Sequence, residues 1–134
     1  MSKSFFAFLR GSEEVPPVRT FASGRTTLQL ENETELRYRL VVNNIRNLTE
    51  AHIHLGRRGQ NGPVAAFLFG PVSPGITVTR GIVEGTITRE DLVGPLQGRP
   101  LSALVSEMRA GNTYVNAHTK QNPEGEIRGQ VRRL

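Results

Sequence analysis

Short runs in which apolar and polar residues alternate are the feature that most constrains how this chain folds. The clearest covers residues 34–43, where every second residue from Leu36 to Val42 is apolar and the charged residues Glu35, Arg37 and Arg39 alternate with them. Side chains on a strand point alternately to its two faces, so this pattern is typical of a strand with one buried face. Together with residues 24–31 it predicts a hairpin.

The same patterning predicts seven or eight strands along the chain. They cover residues 5–10, 24–31, 34–43, 51–56, 63–69, 77–88, 112–119 and 125–132. Residues 43–49 are expected to be a turn, and residues 122–125 (NPEG) have the preferences of a type I turn.

Two short helices are expected between the last strands. Thr88 and Asp91 have the spacing of a capping box, and a brief helix there stops before the Gly-Pro pair at 94–95. A second apolar face starts at Leu101, and Gly111 is its natural terminator. With no linker or repeat in 134 residues, we predict one domain over residues 1–134, an antiparallel Greek-key β-sandwich with one or two short helices.

Two of the three histidines lie on one predicted strand. His52 and His54 project to the same side, with Cα atoms about 6.6 Å apart, so both rings can reach one ion at about 2.0–2.1 Å. Their neighbours on the strand are apolar, and we therefore expect the imidazoles to stand outside the core. His118 lies on another predicted strand. We predict that the three rings converge on one metal ion.

The chain has no cysteine, so any metal ligand must be imidazole, carboxylate or water. Three neutral imidazoles and an open position suit copper or zinc. The alternative is that the histidines form a polar network beneath the Gly- and Arg-rich loop at residues 57–63.

Four further side chains are expected on the outer surface near His118. Glu126 is predicted to orient a ligand imidazole or to be a fourth ligand, and the alternative is an exposed cross-strand ion pair. Arg128 lies two residues away on the same predicted strand. Tyr114 and Asn116 are predicted to share that surface.

Several stretches together resemble the chordin-type (CHRD) domain. They are residues 13–18 (EEVPPV), 51–56 (AHIHLG), 61–64 (NGPV), 91–96 (DLVGPL), 114–119 (YVNAHT) and 122–131 (NPEGEIRGQV). The resemblance implies a β-sandwich and leaves the activity open. Animal chordins bind growth factors and carry cysteine-rich modules and a secretory leader. Neither the cysteine-rich modules nor the leader is recognised in this sequence, so growth-factor binding is not expected to carry over.

A fainter resemblance is to copper–zinc superoxide dismutase, another antiparallel β-sandwich. Its metal ligands include a His-x-His pair and a distant histidine, a pattern that His52, His54 and His118 match. The resemblance implies copper as first choice and zinc as second, with Arg128 as an anion-guiding arginine. Three histidines do not allow a bridging imidazole or a separate zinc cluster, and the structural disulfide is impossible.

The net charge of +5 favours solubility and a local attraction for small anions. No basic helix, tryptophan or aromatic row on a basic face is evident, so a nucleic-acid role is not expected. No apolar run is long enough for membrane insertion. Without a recognisable leader we expect a cytoplasmic protein, export by another route remaining open.

The sequence thus predicts a metal-binding CHRD domain protein that holds one transition-metal ion in a three-histidine site. Redox activity such as superoxide dismutation is one extension of this hypothesis. A zinc hydrolase with Glu126 as general base is a less favoured one. The alternative function is a non-catalytic protein-interaction module with structural histidines and an unknown protein partner.

Overall fold

The computed structural model describes residues 3–134, and Met1 and Ser2 of the predicted domain lie outside it. Eight antiparallel strands make up most of the described chain. They are β1 (Ser4–Arg10), β2 (Ser23–Asn32), β3 (Glu35–Leu55), β4 (Val64–Phe69), β5 (Ile76–Ile87), β6 (Thr113–Thr119), β7 (Ile127–Gln130) and β8 (Arg132–Arg133). One α-helix, α1 (Leu101–Arg109), and three short 3-10 helices complete the described elements, the latter at Gly11–Glu13, Arg89–Asp91 and Gly94–Leu96.

Strand β3 is 21 residues long and runs through both layers of the fold. Its first half pairs with β2 on one side and β5 on the other, and β2 continues to β1. Its second half pairs with β6 and β4, and β6 continues to β7. We call β1, β2, the first half of β3 and β5 the first layer. The second layer consists of β4, the second half of β3, β6 and β7. The predicted antiparallel β-sandwich is confirmed.

The turn predicted at residues 43–49 is wrong, because β3 continues through this segment. Asn44 and Asn47 adopt positive φ angles of 52° and 55°, and the register with β5 shifts between Ile45 and Leu48. Asparagine tolerates the left-handed region better than most residues, so the strand bends without ending. Ile45 and Leu48 are both buried and anchor the bend to the core.

The inward faces of the two layers form one hydrophobic core. Large fully buried side chains in it include Phe5, Leu28, Leu36, Leu40 and Ile53. Helix α1 adds its predicted apolar face to that core, with Leu101, Leu104, Val105 and Met108 buried.

The predicted local signals are also present in the structure. Thr88 and Asp91 form the capping box, although the helix that follows is a single 3-10 turn. Gly111 has a positive φ of 73° just beyond α1. In the predicted type I turn the Gly125 amide donates to the Asn122 carbonyl at 3.0 Å. No helix in residues 3–134 has the length and apolar character required to cross a membrane.

Candidate functional site

The register of the second layer brings the three histidines together. Strands β3 and β6 are neighbours, and Glu50 lies opposite His118 while His52 lies opposite Asn116. Side chains two residues apart on a strand share a face, so His52, His54 and His118 all project to one side of the layer. One nitrogen from each ring lies within 4.8 Å of the others. The predicted convergence of the three rings is confirmed.

The rings lie outside the core, as expected, but they are not exposed to solvent. His52, His54 and His118 are only 4%, 7% and 8% exposed. The alternation correctly places them on the face away from the core, but two loops fold over that face. Carbonyl groups of Gly62 in one loop and Pro123 in the other bond directly to the rings. Tyr114 and Asn116, predicted on the same surface, are buried with them.

The imidazole of His54 is held on one side and free on the other. Its Nδ1 lies 2.8 Å from the Gly62 carbonyl oxygen, an acceptor, so Nδ1 carries the proton in this contact. The ring stacks on Tyr114 with a centroid separation of 4.8 Å and an interplanar angle of 6°. The Nε2 atom is buried and has no hydrogen-bond partner within the described chain. In the neutral ring this atom bears a lone pair.

The imidazole of His118 is also held by a backbone carbonyl at Nδ1, but its Nε2 has close neighbours. Its Nδ1 lies 2.8 Å from the Pro123 carbonyl oxygen, and Nε2 faces Asn116 Oδ1 at 2.9 Å and His52 Nδ1 at 3.1 Å. The Asn116 side chain also hydrogen-bonds the Glu14 carboxyl, and this bond lowers the Glu14 pKa. A bond with that effect is donated by the amide nitrogen, which leaves the amide oxygen toward His118.

His52 is fixed by a carboxylate that sequence analysis missed. Its Nε2 lies 2.7 Å from Glu50 Oε1, a close contact that lacks hydrogen-bond alignment. With the proton on Nε2, the Nδ1 atom presents a lone pair toward His118. Glu50 could have been found from the sequence, because it precedes His52 by two residues and therefore shares its face.

Three ring nitrogens and one amide oxygen thus face a common point without a proton among them when all rings are neutral. Burial lowers the pKa of His52 to about 3, with further lowering by the charges of His118 and His54. Burial also lowers the pKa of His54, partly opposed by its bond to Gly62. Neutral imidazoles are the form that binds metals. Two lone pairs 3.1 Å apart repel, so either a proton shared at His118 Nε2 or a metal cation stabilises this arrangement.

The predicted role of Glu126 beside the histidines is wrong. Its Oε2 accepts from the Thr20 hydroxyl at 2.7 Å, and its Oε1 accepts from Thr119, Gln121 and Asn122. These four side-chain bonds lower its pKa against the opposing effect of burial, which is the largest single influence. Both oxygens are therefore committed to clamping the turn that carries Pro123, and Glu126 neither orients an imidazole nor acts as a general base.

The predicted anion-guiding role of Arg128 is also wrong, because this side chain is 1% exposed. Its guanidinium carbon lies 3.5 Å from the centroid of the Tyr114 ring. It donates to Asn61 Oδ1 at 3.0 Å and to the carbonyl oxygens of Arg57 and Gln60 at 3.1 and 2.6 Å. Arg128 therefore fastens the loop that covers His54.

Comparison with known proteins places the chain in a family. Residues 5–131 match the CHRD domain family. Over 125 residues, 92% of this chain, the sequence is 30% identical to chordin of Xenopus laevis. It is 27% identical to chordin of Danio rerio over 116 residues, 87% of this chain. The matched segment is 12% of the length of each chordin.

The fainter resemblance to superoxide dismutases finds no support in these matches. The family match, in contrast, covers nearly every strand of the sandwich and all three histidines. The chain belongs to the CHRD domain family.

Proposed function

We propose that this domain is a non-catalytic protein-interaction module. One observation carries the proposal: every residue to which the sequence assigns chemistry is buried. Their exposed fractions are all 8% or less for His52, His54, His118, Tyr114, Asn116, Glu126 and Arg128. A substrate cannot reach side chains that lie under two hydrogen-bonded loops, so recognition falls to the outer surfaces of the sandwich.

The hydrogen bonds of this cluster support the same conclusion. Glu126 is the one candidate general base, and both of its carboxylate oxygens accept hydrogen bonds from other side chains. The guanidinium group of Arg128 donates to oxygens of the loop at residues 57–61. An active site needs groups free to exchange protons or charge with a substrate. Here those groups connect strands to loops instead.

A display experiment tests the interaction module. The folded chain is presented to a library of random peptides on phage, and heat-unfolded chain serves as the matched control. The proposal expects peptides that bind the folded chain saturably and the unfolded chain much more weakly. Enrichment of only those peptides that bind both forms equally contradicts it.

A second proposed function, compatible with the first, is binding of one transition-metal ion by His52, His54 and His118. The specific observation in its favour is the set of contacts that the three imidazole rings make through the nitrogens that face away from the proposed ion. Metal-ligating histidines usually donate the second ring nitrogen to a backbone carbonyl or a carboxylate, which fixes the tautomer. Gly62 and Pro123 supply such acceptors for His54 and His118, and the Glu50 carboxylate lies 2.7 Å from His52 Nε2 without hydrogen-bond alignment.

The distances fit a small ion after a modest adjustment. Nitrogens bound tetrahedrally at about 2.0–2.1 Å lie about 3.3 Å apart, and His52 Nδ1 and His118 Nε2 are separated by 3.1 Å. The buried Nε2 of His54, which has no hydrogen-bond partner among residues 3–134, is the third donor, and the ligand nitrogens have to draw together from separations of up to 4.8 Å. An imidazole-rich site binds Cu²⁺ more tightly than Zn²⁺, so we propose copper first and zinc second. Since the rings are buried, the ion would stabilise the fold.

Isothermal titration of the metal-free chain with Cu²⁺ and with Zn²⁺ tests this site. We expect one ion per chain for the parent and for Phe67→Ala, a variant that loses a ring 4.4 Å from the His52 ring but no ligand nitrogen. We expect no stoichiometric binding for His52→Ala/His54→Ala. Binding that survives in the double variant, or no binding by the parent, refutes these ligands.

A further inference from the structure

The outer face of the first layer is rich in arginine. It is formed by the outward side chains of β1, β2, the first half of β3 and β5, and we call it the arginine face. The side chains that define it are Phe8, Arg10, Arg25, Arg39, Arg80 and Ile82. The histidines belong to other strands, because they project from the second half of β3 and from β6.

The strand register fixes how these side chains are arranged. One row crosses four strands, with Phe8 opposite Arg25, Arg25 opposite Val41, and Val41 opposite Ile82. Neighbouring strands lie about 4.8 Å apart, so this row spans about 14 Å. Phe8 is 54% and Ile82 48% exposed, and Val41 is buried between them. An apolar strip therefore lies across the sheet, interrupted by one arginine.

The remaining arginines flank this strip. Arg10 and Arg80 lie at the two ends of the next row, two residues along their strands from Phe8 and Ile82. Arg39 lies in the row on the other side, opposite Glu84. Basic groups thus border the strip on both sides.

The four arginines of this face are not held in ion pairs within the described chain, although Glu84 lies opposite Arg39. Arg10, Arg25, Arg39 and Arg80 are exposed and make no ion pair within residues 3–134. Arg37, the next basic side chain on β3, differs because it pairs with Glu31 at 3.3 Å. Like charges placed close together on a sheet repel one another, and a bound anion relieves that repulsion.

We propose that the arginine face docks an acidic, amphipathic segment of a partner protein, whose carboxylates pair with the arginines and whose apolar side chains cover Phe8 and Ile82. This inference rests on the proposed role as an interaction module and names its surface and its class of partner. Interfaces are enriched in aromatic residues and arginine, and this face combines exposed apolar side chains with arginines.

The apolar strip distinguishes a protein partner from a nucleic acid or a sulfated polysaccharide. Those polyanions bind through phosphate or sulfate charge, and nucleic-acid bases add stacking on aromatic rings. Phe8 is engaged edge-on with Phe6, with ring centroids 5.4 Å apart, and Val41 and Ile82 offer no stacking plane. Aliphatic side chains of a protein segment match these groups better.

The test uses three synthetic peptides of equal length on the full chain. One alternates glutamate and isoleucine, one is all glutamate, and one alternates glutamine and isoleucine. Fluorescence anisotropy measures their affinities. We expect the glutamate–isoleucine peptide to bind at least about tenfold more tightly than either of the others, because only it satisfies both the charge and the apolar strip.

Two charge-matched double variants locate the binding. Arg25→Glu/Arg80→Glu reverses two charges on the face, and Arg19→Glu/Arg99→Glu reverses two exposed charges in loops outside it. We expect the first double variant to bind the glutamate–isoleucine peptide more than about tenfold more weakly than the parent does, and the second less than about threefold more weakly. Phe8→Ser, which keeps all charges, is also expected to weaken it. Circular dichroism checks that each variant is folded.

Several outcomes overturn the inference. Equal losses in the two double variants would indicate attraction by net charge alone. Tighter binding of the all-glutamate peptide, single-stranded DNA or a sulfated polysaccharide would indicate a polyanion site. If displayed peptides bind the folded parent chain and bind the face variants equally tightly, the interaction module stands and this surface is wrong. If no fold-dependent peptide is found, the proposed function fails first.

Discussion

At the scale of single residues, the second layer depends on charged groups that are fully enclosed. Arg128 joins β7 to the loop at residues 57–61, and Glu14 is buried with one carboxyl oxygen that has no hydrogen-bond partner among the described residues. Replacing a buried charged side chain leaves its hydrogen-bond partners unsatisfied, so it lowers the free energy of unfolding by more than a substitution at the surface does. Two predictions follow from these two side chains.

Replacing Arg128 is expected to destabilise the fold. Arg128→Met removes three hydrogen bonds to loop oxygens and the stacking on Tyr114, so we expect the free energy of unfolding to fall by about 2–4 kcal/mol. Arg128→Lys is expected to recover little, because an ammonium group does not reproduce the planar fork. Urea denaturation measures both. The exposed Arg132→Met is the matched control, and an equal loss there contradicts the prediction.

Glu14 is expected to make stability fall as pH rises. Burial raises the pKa of this carboxyl to about 7, against opposing effects of the Arg128 charge and the Asn116 bond. Its ordinary pKa is 4.5. Between these values the folded chain keeps a proton that the unfolded chain has lost, so this contribution is present below about pH 4.5 and is lost through about pH 7.

Glu14→Gln removes this dependence because it cannot ionise. Relative to the parent, we expect the variant to gain stability on the order of 2 kcal/mol between pH 4.5 and pH 8. Effects of His52 and His54 are common to both chains and cancel in the comparison. Urea denaturation at several pH values measures the difference. Glu33→Gln, at an exposed position after β2, controls for loss of a carboxyl, and parallel profiles for the two variants would disprove the prediction.

At the scale of elements, the bend in β3 positions the two layers, because the strands of each layer pair with a different half of β3. The strand passes from one layer to the other between Asn43 and Leu48, and Asn44 takes a left-handed backbone there. Asn44 is exposed, so its contribution is conformational. Asn44→Val is expected to lower the free energy of unfolding by about 1–2 kcal/mol, because a β-branched residue disfavours positive φ. Asn44→Gly should stay within about 0.5 kcal/mol of the parent.

Thermal or urea unfolding of the two Asn44 variants measures this difference. Arg46→Val is the matched control, since position 46 is exposed, lies in the same bend and lacks the positive φ. Valine is expected to be tolerated there within about 0.5 kcal/mol. Equal costs for valine at positions 44 and 46 would show that left-handed strain does not shape the bend.

The strands could be predicted from the sequence because each alternates within itself. Leu36, Leu40 and Val42 lie at alternate positions of the predicted strand at residues 34–43, and all three are buried. The turn at residues 43–49 could not be recognised as a bend, since asparagine-rich segments are equally typical of both. Only the tertiary pairing of β3 with β5 and β4 decides between them.

The site was predictable in its positions and not in its environment. His52, His54 and His118 converge because alternation and hairpin pairing are local rules. Burial depends on loops that fold back from distant parts of the chain, such as the carbonyls of Gly62 and Pro123, and alternation carries no information on them. For the same reason Arg128 was assigned to the surface although it is buried.

At the scale of the whole molecule, the two layers share β3 and one core, so they are expected to unfold together. The chain has two tyrosines and no tryptophan. Tyr38 lies in the first half of β3 and donates to the Leu68 carbonyl at 2.6 Å, whereas Tyr114 lies in β6 beside the histidines. Tyr114 therefore reports on the second layer, and Tyr38 reports on the first half of β3 and its contact with β4. A single Tyr→Phe change leaves the other tyrosine as the sole fluorophore of its kind.

Coincident transitions are the expected result. In Tyr38→Phe the fluorescence of Tyr114 should follow far-UV circular dichroism through urea unfolding, and in Tyr114→Phe the fluorescence of Tyr38 should do the same. Each variant loses a hydrogen bond worth about 1 kcal/mol, so its midpoint shifts while the two probes remain superimposed. Because β3 cannot leave one layer without dragging its paired residues from the other, a fluorescence midpoint that differs from the dichroism midpoint in either variant would show that the layers are separate cooperative units.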